Sequence, residues 1–141
     1  MTTFETKRLV EWGDCDAAGI VYYPNYYRWM DGTFHAFTMA LGFDQRSLRA
    51  DHGLLGTPLV DTGCTFAAPA SYGDELTVTL RVASVGVSSI GLAYTFDRAG
   101  VPIASGHEAR VFVRTTAAGG IEKAAMPDAI RILLAPLAPA A

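Results

Sequence analysis

At 141 residues, half of them hydrophobic, with a formal net charge of −3, the chain has the length of one domain and ample apolar content for one packed core. The acidic balance and the lack of any Lys or Arg run argue against a nucleic-acid surface, and no stretch approaches the roughly 18 apolar residues of a membrane span. Cys15 and Cys64 are too few for a disulfide framework, and neither sits in a cluster of zinc spacing. The expectation is a single domain over residues 1–141 that is soluble and cytosolic, takes a small molecule, and uses no metal or cofactor.

In chain order, Phe4 to Trp12 reads as a first strand ending at Gly13. A long helix follows, because Pro24 suits a first helical turn and Gly42 suits the residue past the end. Between them Tyr26, Met30, Thr33, Phe34, Phe37 and Leu41 recur at spacings of three and four, which makes one apolar stripe. Leu59 to Phe66, Glu75 to Val85, Ser88 to Phe96 and Ile103 to Arg114 read as antiparallel strands. The turns between them are Ala70 to Asp74, Val85 to Val87, Asp97 to Gly100 and, after the last, Ala117 to Gly120. A short strand or coil leads to Pro127 and a helix through Leu134, and the tail Ala135 to Ala141 reads as frayed. One apolar-faced helix with four or five long strands implies an α+β layer structure, the sheet curling around the helix.

Chemistry concentrates between the first strand and the helix. Asp14 and Asp16 precede the small residues Ala17, Ala18 and Gly19, and the helix begins just beyond. A helix start offers free N–H groups and the positive end of the dipole, which can polarise a carbonyl oxygen, and the N–H groups of Tyr22 and Tyr23 before Pro24 are the candidate donors. A nearby carboxylate can attack that carbonyl or activate water against it. Capping of a helix or turn is the alternative role for either Asp. Further along, Tyr27, Asp31 and His35 are spaced by four and share a helix face, either as a solvated stripe or with Asp31 and His35 as a polar pair. His52 reads as a loop residue, His107 as a hydrogen-bonded strand residue, and Cys64 as a small core residue. Cys15, if in a strand, would point away from Asp16. No Gly-x-Ser-x-Gly elbow supports a serine nucleophile.

The run Glu11-Trp12-Gly13-Asp14-Cys15-Asp16-Ala17-Ala18-Gly19-Ile20-Val21-Tyr22-Tyr23-Pro24-Asn25-Tyr26-Tyr27-Arg28-Trp29 closely resembles the signature of the 4-hydroxybenzoyl-CoA thioesterases of the Pseudomonas-type hot-dog family. Gly53 to Val60, Ala70 to Leu76 and Glu108 to Phe112 extend the resemblance along most of the chain. It implies a hot-dog fold, a five-stranded antiparallel sheet wrapped around one long helix, and hydrolysis of an aromatic acyl-CoA such as 4-hydroxybenzoyl-CoA. It implies Asp16 as nucleophile or general base and the Tyr23 backbone N–H as the donor to the thioester carbonyl. Asp31 would receive the ring hydroxyl of the substrate, and Thr57 would reach the acyl group from a neighbouring subunit of a homodimer or homotetramer. Thr57 reads equally well as part of a turn before Pro58.

The sequence departs from that family at Val85-Gly86-Val87-Ser88-Ser89, where the resemblance implies a basic cluster for the CoA phosphates. Arg81, Arg98, Arg110 and Arg114 are the remaining candidates, and each reads more simply as an exposed surface arginine. The segment Gly32 to Phe37 also differs, which leaves the acyl group open. Two other classes stay in view: hot-dog hydratases, disfavoured by Pro24 where related subfamilies carry a His, and a non-catalytic acyl-CoA-binding module.

Overall fold

The computed structural model describes residues 2–140, and Ala141 of the expected tail lies outside them. Five strands form one antiparallel sheet: β1 (Phe4–Leu9), β2 (Leu59–Phe66), β3 (Glu75–Val85), β4 (Ser89–Arg98) and β5 (Val101–Val111), in the order β1-β3-β4-β5-β2. The helix α1 (Pro24–Leu41) packs in the hollow of the sheet. This is the α+β architecture expected.

Strand and helix periodicities meet at that contact. Leu76, Val78, Leu80 and Val82 of β3 alternate with polar residues and are buried, as are Ile90, Leu92, Tyr94 and Phe96 of β4. Register places Val78 opposite Phe96 and Leu80 opposite Tyr94, so one inward row faces the helix. From α1 come Tyr26, Trp29, Met30, Thr33, Phe34, Phe37 and Thr38. The expected stripe is therefore shifted: Trp29 and Thr38 are in it, and Leu41 is only half-buried. Each fully buried large side chain contributes about 1.5–3 kcal/mol. Gly42, at φ 103°, ends α1 in the left-handed conformation that glycine adopts freely, and its N–H reaches back to the Met39 and Thr38 carbonyls.

Several boundaries differ from expectation. β1 stops at Leu9, and Trp12–Asp14 form a turn of 3-10 helix closed by reciprocal bonds between Glu11 and Asp14. The hairpin β4–β5 turns on Ala99 and Gly100 alone, both at positive φ, so its strands extend inward past the expected Asp97 to Gly100 loop. β5 ends at Val111, and β6 (Val113–Thr115) pairs instead with β7 (Ile121–Lys123). A second helix, α2 (Gln45–His52), was not expected; Asp44 caps it by accepting the Ser47 N–H, and His52 lies in its last turn rather than in a loop. α3 (Asp128–Leu134) starts after Pro127 as expected. Part of the supposedly frayed tail is ordered: Ala135–Leu137 make a 3-10 turn, and Leu137 and Ala138 pack on the core.

One close approach fixes how deep α1 sits. A side chain at Gly106 of β5 would collide with the Met30 thioether and lie 3.1 Å from the Gly63 carbonyl oxygen. Gly106→Val therefore overpacks the helix–sheet contact and should lower stability by about 1–3 kcal/mol, read by chemical denaturation at unchanged m-value.

Candidate active site

The segment between β1 and α1 folds back on itself. The Asp16 N–H donates to the Ile20 carbonyl (3.0 Å), the Gly19 N–H donates to the Asp16 carbonyl (3.0 Å), and Gly19 takes a φ of 79° that its missing side chain permits. The two aspartates separate in role. Asp14 holds the turn: its Oδ2 accepts the Glu11 N–H at 2.8 Å, and its carbonyl accepts the Tyr22 N–H and the Asn25 side-chain amide, both at 2.8 Å. Capping describes Asp14 well. Asp16 is exposed; its Oδ1 accepts the Ala18 N–H at 2.9 Å, and its Oδ2 has no partner among the described residues.

The Tyr22 N–H is taken by Asp14, Pro24 has no N–H, the Asn25 N–H donates to the Tyr22 carbonyl and the Tyr26 N–H to the Tyr23 carbonyl. The Tyr23 N–H has no acceptor among the described residues. Tyr22 is thereby removed from the pair of candidate donors. Asp16 and Tyr23 line one cleft of about 560 Å³, with Ile20, Val21, Tyr26 and Phe66 to Ala70 supplying mostly apolar walls. On its other side Asp16 borders a smaller hollow with Trp12 and Tyr72, exposed aromatics packed edge to face at 5.4 Å. Cys15 pairs with Val21 in a single bridge, and its Sγ lies 3.8 Å from the Glu11 carbonyl. The half-buried Cys64 thiol is pushed up to about 11 by burial, which makes it a poor nucleophile.

Asp31 and Thr57 lie elsewhere, around a buried arginine. Arg110, expected as a surface residue, is only 4% exposed. Its Nε and Nη2 donate to the two oxygens of the equally buried Glu108 at 3.1 and 3.0 Å. Nη1 donates to the Thr57 carbonyl at 3.1 Å, Nη2 also to Asp31 Oδ1 at 2.8 Å, and the guanidinium lies 4.1 Å from the Phe34 ring centroid. Tyr94 donates its hydroxyl to Glu108 at 2.6 Å. Both burial and the neighbouring Glu108 carboxylate push the Tyr94 hydroxyl well above its ordinary range, keeping it a donor. Gln45, from the unexpected α2, spans Thr57: its amide donates to Thr57 Oγ1 at 3.0 Å and its carbonyl accepts the Thr57 N–H at 3.1 Å. The expected polar pair is present, with His35 Nε2 3.3 Å from Asp31 Oδ1. His35 first, and Arg110 with it, hold the Asp31 carboxyl down to about 2 against the cost of burial. His35, Gln45, Thr57 and Arg110 border a hollow of about 290 Å³. Sequence reasoning missed Arg110; its placement two residues after Glu108 on one strand face, both in an inward register, was the available signal.

The other arginines considered for phosphate have partners of their own or stay at the surface. Arg98 donates to Asp74 Oδ2 at 3.0 Å and to the Pro69 carbonyl, Arg114 donates to Glu122 at 2.8 Å, and Arg81 is exposed on β3. His107 has the structural role expected, bonded to Asp61 at 3.0 Å.

Two outcomes follow from this cluster of charges. Arg110→Met leaves Glu108 buried without its cation and should cost about 3–5 kcal/mol in denaturant unfolding. Asp31→Asn removes stability that the carboxylate supplies at neutral pH. Because its folded pKa lies below the unfolded value of 3.8, the wild-type advantage should be full above about pH 4 and vanish as pH falls through about 2, read by thermal unfolding along a pH series.

Residues 10–134 match the Thioesterase-like superfamily. The chain is 41% identical over 73 residues to 4-hydroxybenzoyl-CoA thioesterase of Pseudomonas sp. strain CBS-3, covering 51% of this chain and 52% of that protein, so the match spans about half the length of that relative. It is 28% identical over 105 residues to 1,4-dihydroxy-2-naphthoyl-CoA hydrolase of Synechococcus elongatus, covering 74% and 77%. Among solved structures it superposes on an Asp→Asn mutant of 4-hydroxybenzoyl-CoA thioesterase complexed with 4-hydroxybenzoyl-CoA, with a TM-score of 0.86, 28% identity, and 94% and 98% of the chains covered. A gentisyl-coenzyme A thioesterase gives 0.79 and 36% identity over 94% and 99%. These relatives are named as enzymes that open acyl-CoA thioesters. With residues 10–134 matched and the five-stranded sheet wrapped on α1, the chain belongs to the Thioesterase-like superfamily and has its hot-dog fold.

Proposed function

We propose that this chain hydrolyses an acyl-CoA thioester to the free acid and CoA, with an aromatic acyl group such as 4-hydroxybenzoyl as the substrate. The observation that carries the reading is the cleft lined by both Asp16 and Tyr23, whose N–H has no acceptor among the described residues. In this reading the thioester carbonyl oxygen accepts the Tyr23 N–H, supported by the positive end of the helix dipole. Loss of one such donor costs about 3–4 kcal/mol of transition-state stabilisation in other enzymes. The Oδ2 of Asp16 then attacks the carbonyl carbon to form a mixed anhydride that water cleaves to the free acid, or takes a proton from a water that adds to that carbon directly; in either course the C–S bond breaks and CoA leaves as a thiolate that takes up the proton water gives up. The apolar walls around Tyr26 and Phe66 suit an aryl group and exclude bulk water. The solved relative that holds 4-hydroxybenzoyl-CoA is an Asp→Asn mutant, which agrees with an aspartate at the centre of the reaction.

The acyl-end contacts, Asp31 and Thr57, enter the reading through a second subunit. β2 is an edge strand with Leu59, Val60 and Phe66 exposed, so its outer backbone groups invite a partner strand. The Asp16–Tyr23 cleft adjoins Phe66 at one end of β2, and the Thr57 hollow adjoins Leu59 at the other, about 24 Å away at the usual rise per residue. Antiparallel pairing of two β2 strands about a two-fold axis would bring the Phe66 end of one chain beside the Leu59 end of the other. Each composite site would then take Asp16 and Tyr23 from one subunit and Thr57 from its partner, in a homodimer or a pair of dimers.

A thiol-release assay across benzoyl-, 4-hydroxybenzoyl-, dihydroxybenzoyl- and aliphatic-CoA tests the reaction, and turnover of aryl thioesters ahead of aliphatic ones is expected. Failure of every thioester would favour the binding-module alternative. Light scattering should give twice, or four times, the 15.0 kDa chain mass. A monomer with full activity would remove the shared site.

A further inference from the structure

The guanidinium of Arg110 touches both residues assigned to the acyl group. One Nη2 donates to Asp31 Oδ1 (2.8 Å) and Nη1 donates to the Thr57 carbonyl (3.1 Å). Its own orientation leaves little freedom: Glu108 grips Nε and Nη2 as a two-pronged pair, Tyr94 holds Glu108, and the Phe34 ring lies under the guanidinium plane. A purely structural arginine would already be neutralised by Glu108. The further bond runs outward to a carboxylate that is 51% exposed and belongs to a different element, α1. Both bonds from basic groups, Arg110 and His35, land on Oδ1, and Oδ2 of Asp31 has no partner among the described residues. The cluster therefore presents one fixed, half-exposed acceptor, and with Arg110 and Glu108 cancelling, the carboxylate that remains is Asp31, with His35 beside it.

We propose that Arg110 is a positioning residue for acyl-group recognition, locking the distance and angle between Asp31 and Thr57 so that the site selects acyl groups bearing a neutral hydrogen-bond donor, such as a phenolic hydroxyl, over unsubstituted or carboxylate-bearing ones. This rests on the thioesterase reading above. A hydroxyl can give its proton to Oδ2, an unsubstituted ring leaves that acceptor unpaired, and an anionic substituent meets like charge. Arg110 touches no reacting atom and acts only through the groups it holds.

The test compares kcat/KM for 4-hydroxybenzoyl-CoA and benzoyl-CoA in wild type, Arg110→Met, Asp31→Ala and the Arg110→Met/Asp31→Ala pair. Wild type should favour the hydroxylated substrate, and Arg110→Met should cut that preference about 10- to 100-fold, the range commanded by one charge-assisted hydrogen bond, mostly through KM. In the Asp31→Ala background Arg110→Met should cut it no further, because the two act as one unit. Where Arg110→Met fails to fold, the Glu108→Gln/Arg110→Met pair removes both buried charges, and Arg110→Lys keeps the charge while losing the fork; each should show the same fall. A preference intact in any folded Arg110 variant, or a fall equally large without Asp31, overturns the inference while leaving the hydrolase reading standing. A wild-type ratio near one overturns both the inference and the hydroxylated acyl group, and no thiol release from any thioester overturns the reading itself.

Discussion

Burial of the apolar face of α1 in the curve of the sheet is the contact from which the other features take their positions. Tyr26, Met30, Phe34 and Phe37 lie along that face, and Gly106 lets Met30 press against β5 without a side chain between. The helix cannot slide or rotate without stranding these side chains. With the helix so fixed, its start sets Tyr23 beside Asp16 along one cleft, and its middle carries Asp31 to the buried guanidinium of β5. One helix thus places residues of both candidate regions.

The second constraint is electrostatic. A buried Arg and Glu are costly to desolvate, and their pairing contributes little net stability against an apolar alternative. What the pair supplies is geometry. Arg110 links β5, α1 and the Thr57 turn through bonds of defined direction, and Gln45 clamps the same turn from α2. The two candidate regions lie at opposite ends of β2, the Asp16–Tyr23 cleft near Phe66 and the Thr57 hollow near Leu59, and the proposed function joins them through a two-fold partner.

Much of this was legible in residue order. Strand alternation in β3 and β4, and the three-and-four spacing of α1 between Pro24 and Gly42, report the burial pattern directly because the buried face repeats with the backbone period. The signature around Asp16 named the segment, and Pro24 pointed to the residue before it. Which N–H was free needed coordinates, since only the fold shows Tyr22 spent on the Asp14 carbonyl. α2 escaped because its eight residues bury only Leu48 and show no apolar stripe. Arg110 escaped for a different reason: a lone arginine in a strand looks like a surface residue until its partners, 79 positions away at Asp31 and 53 at Thr57, are brought beside it.

The most direct test of the account is single-turnover thiol release by wild type and Asp16→Asn, the two proteins matched for folding by thermal unfolding. The account predicts a fall of about 10²–10⁴-fold in the chemical step for Asp16→Asn with substrate binding retained, the contribution expected of a carboxylate that attacks or activates water. Equal rates in the two proteins would contradict it.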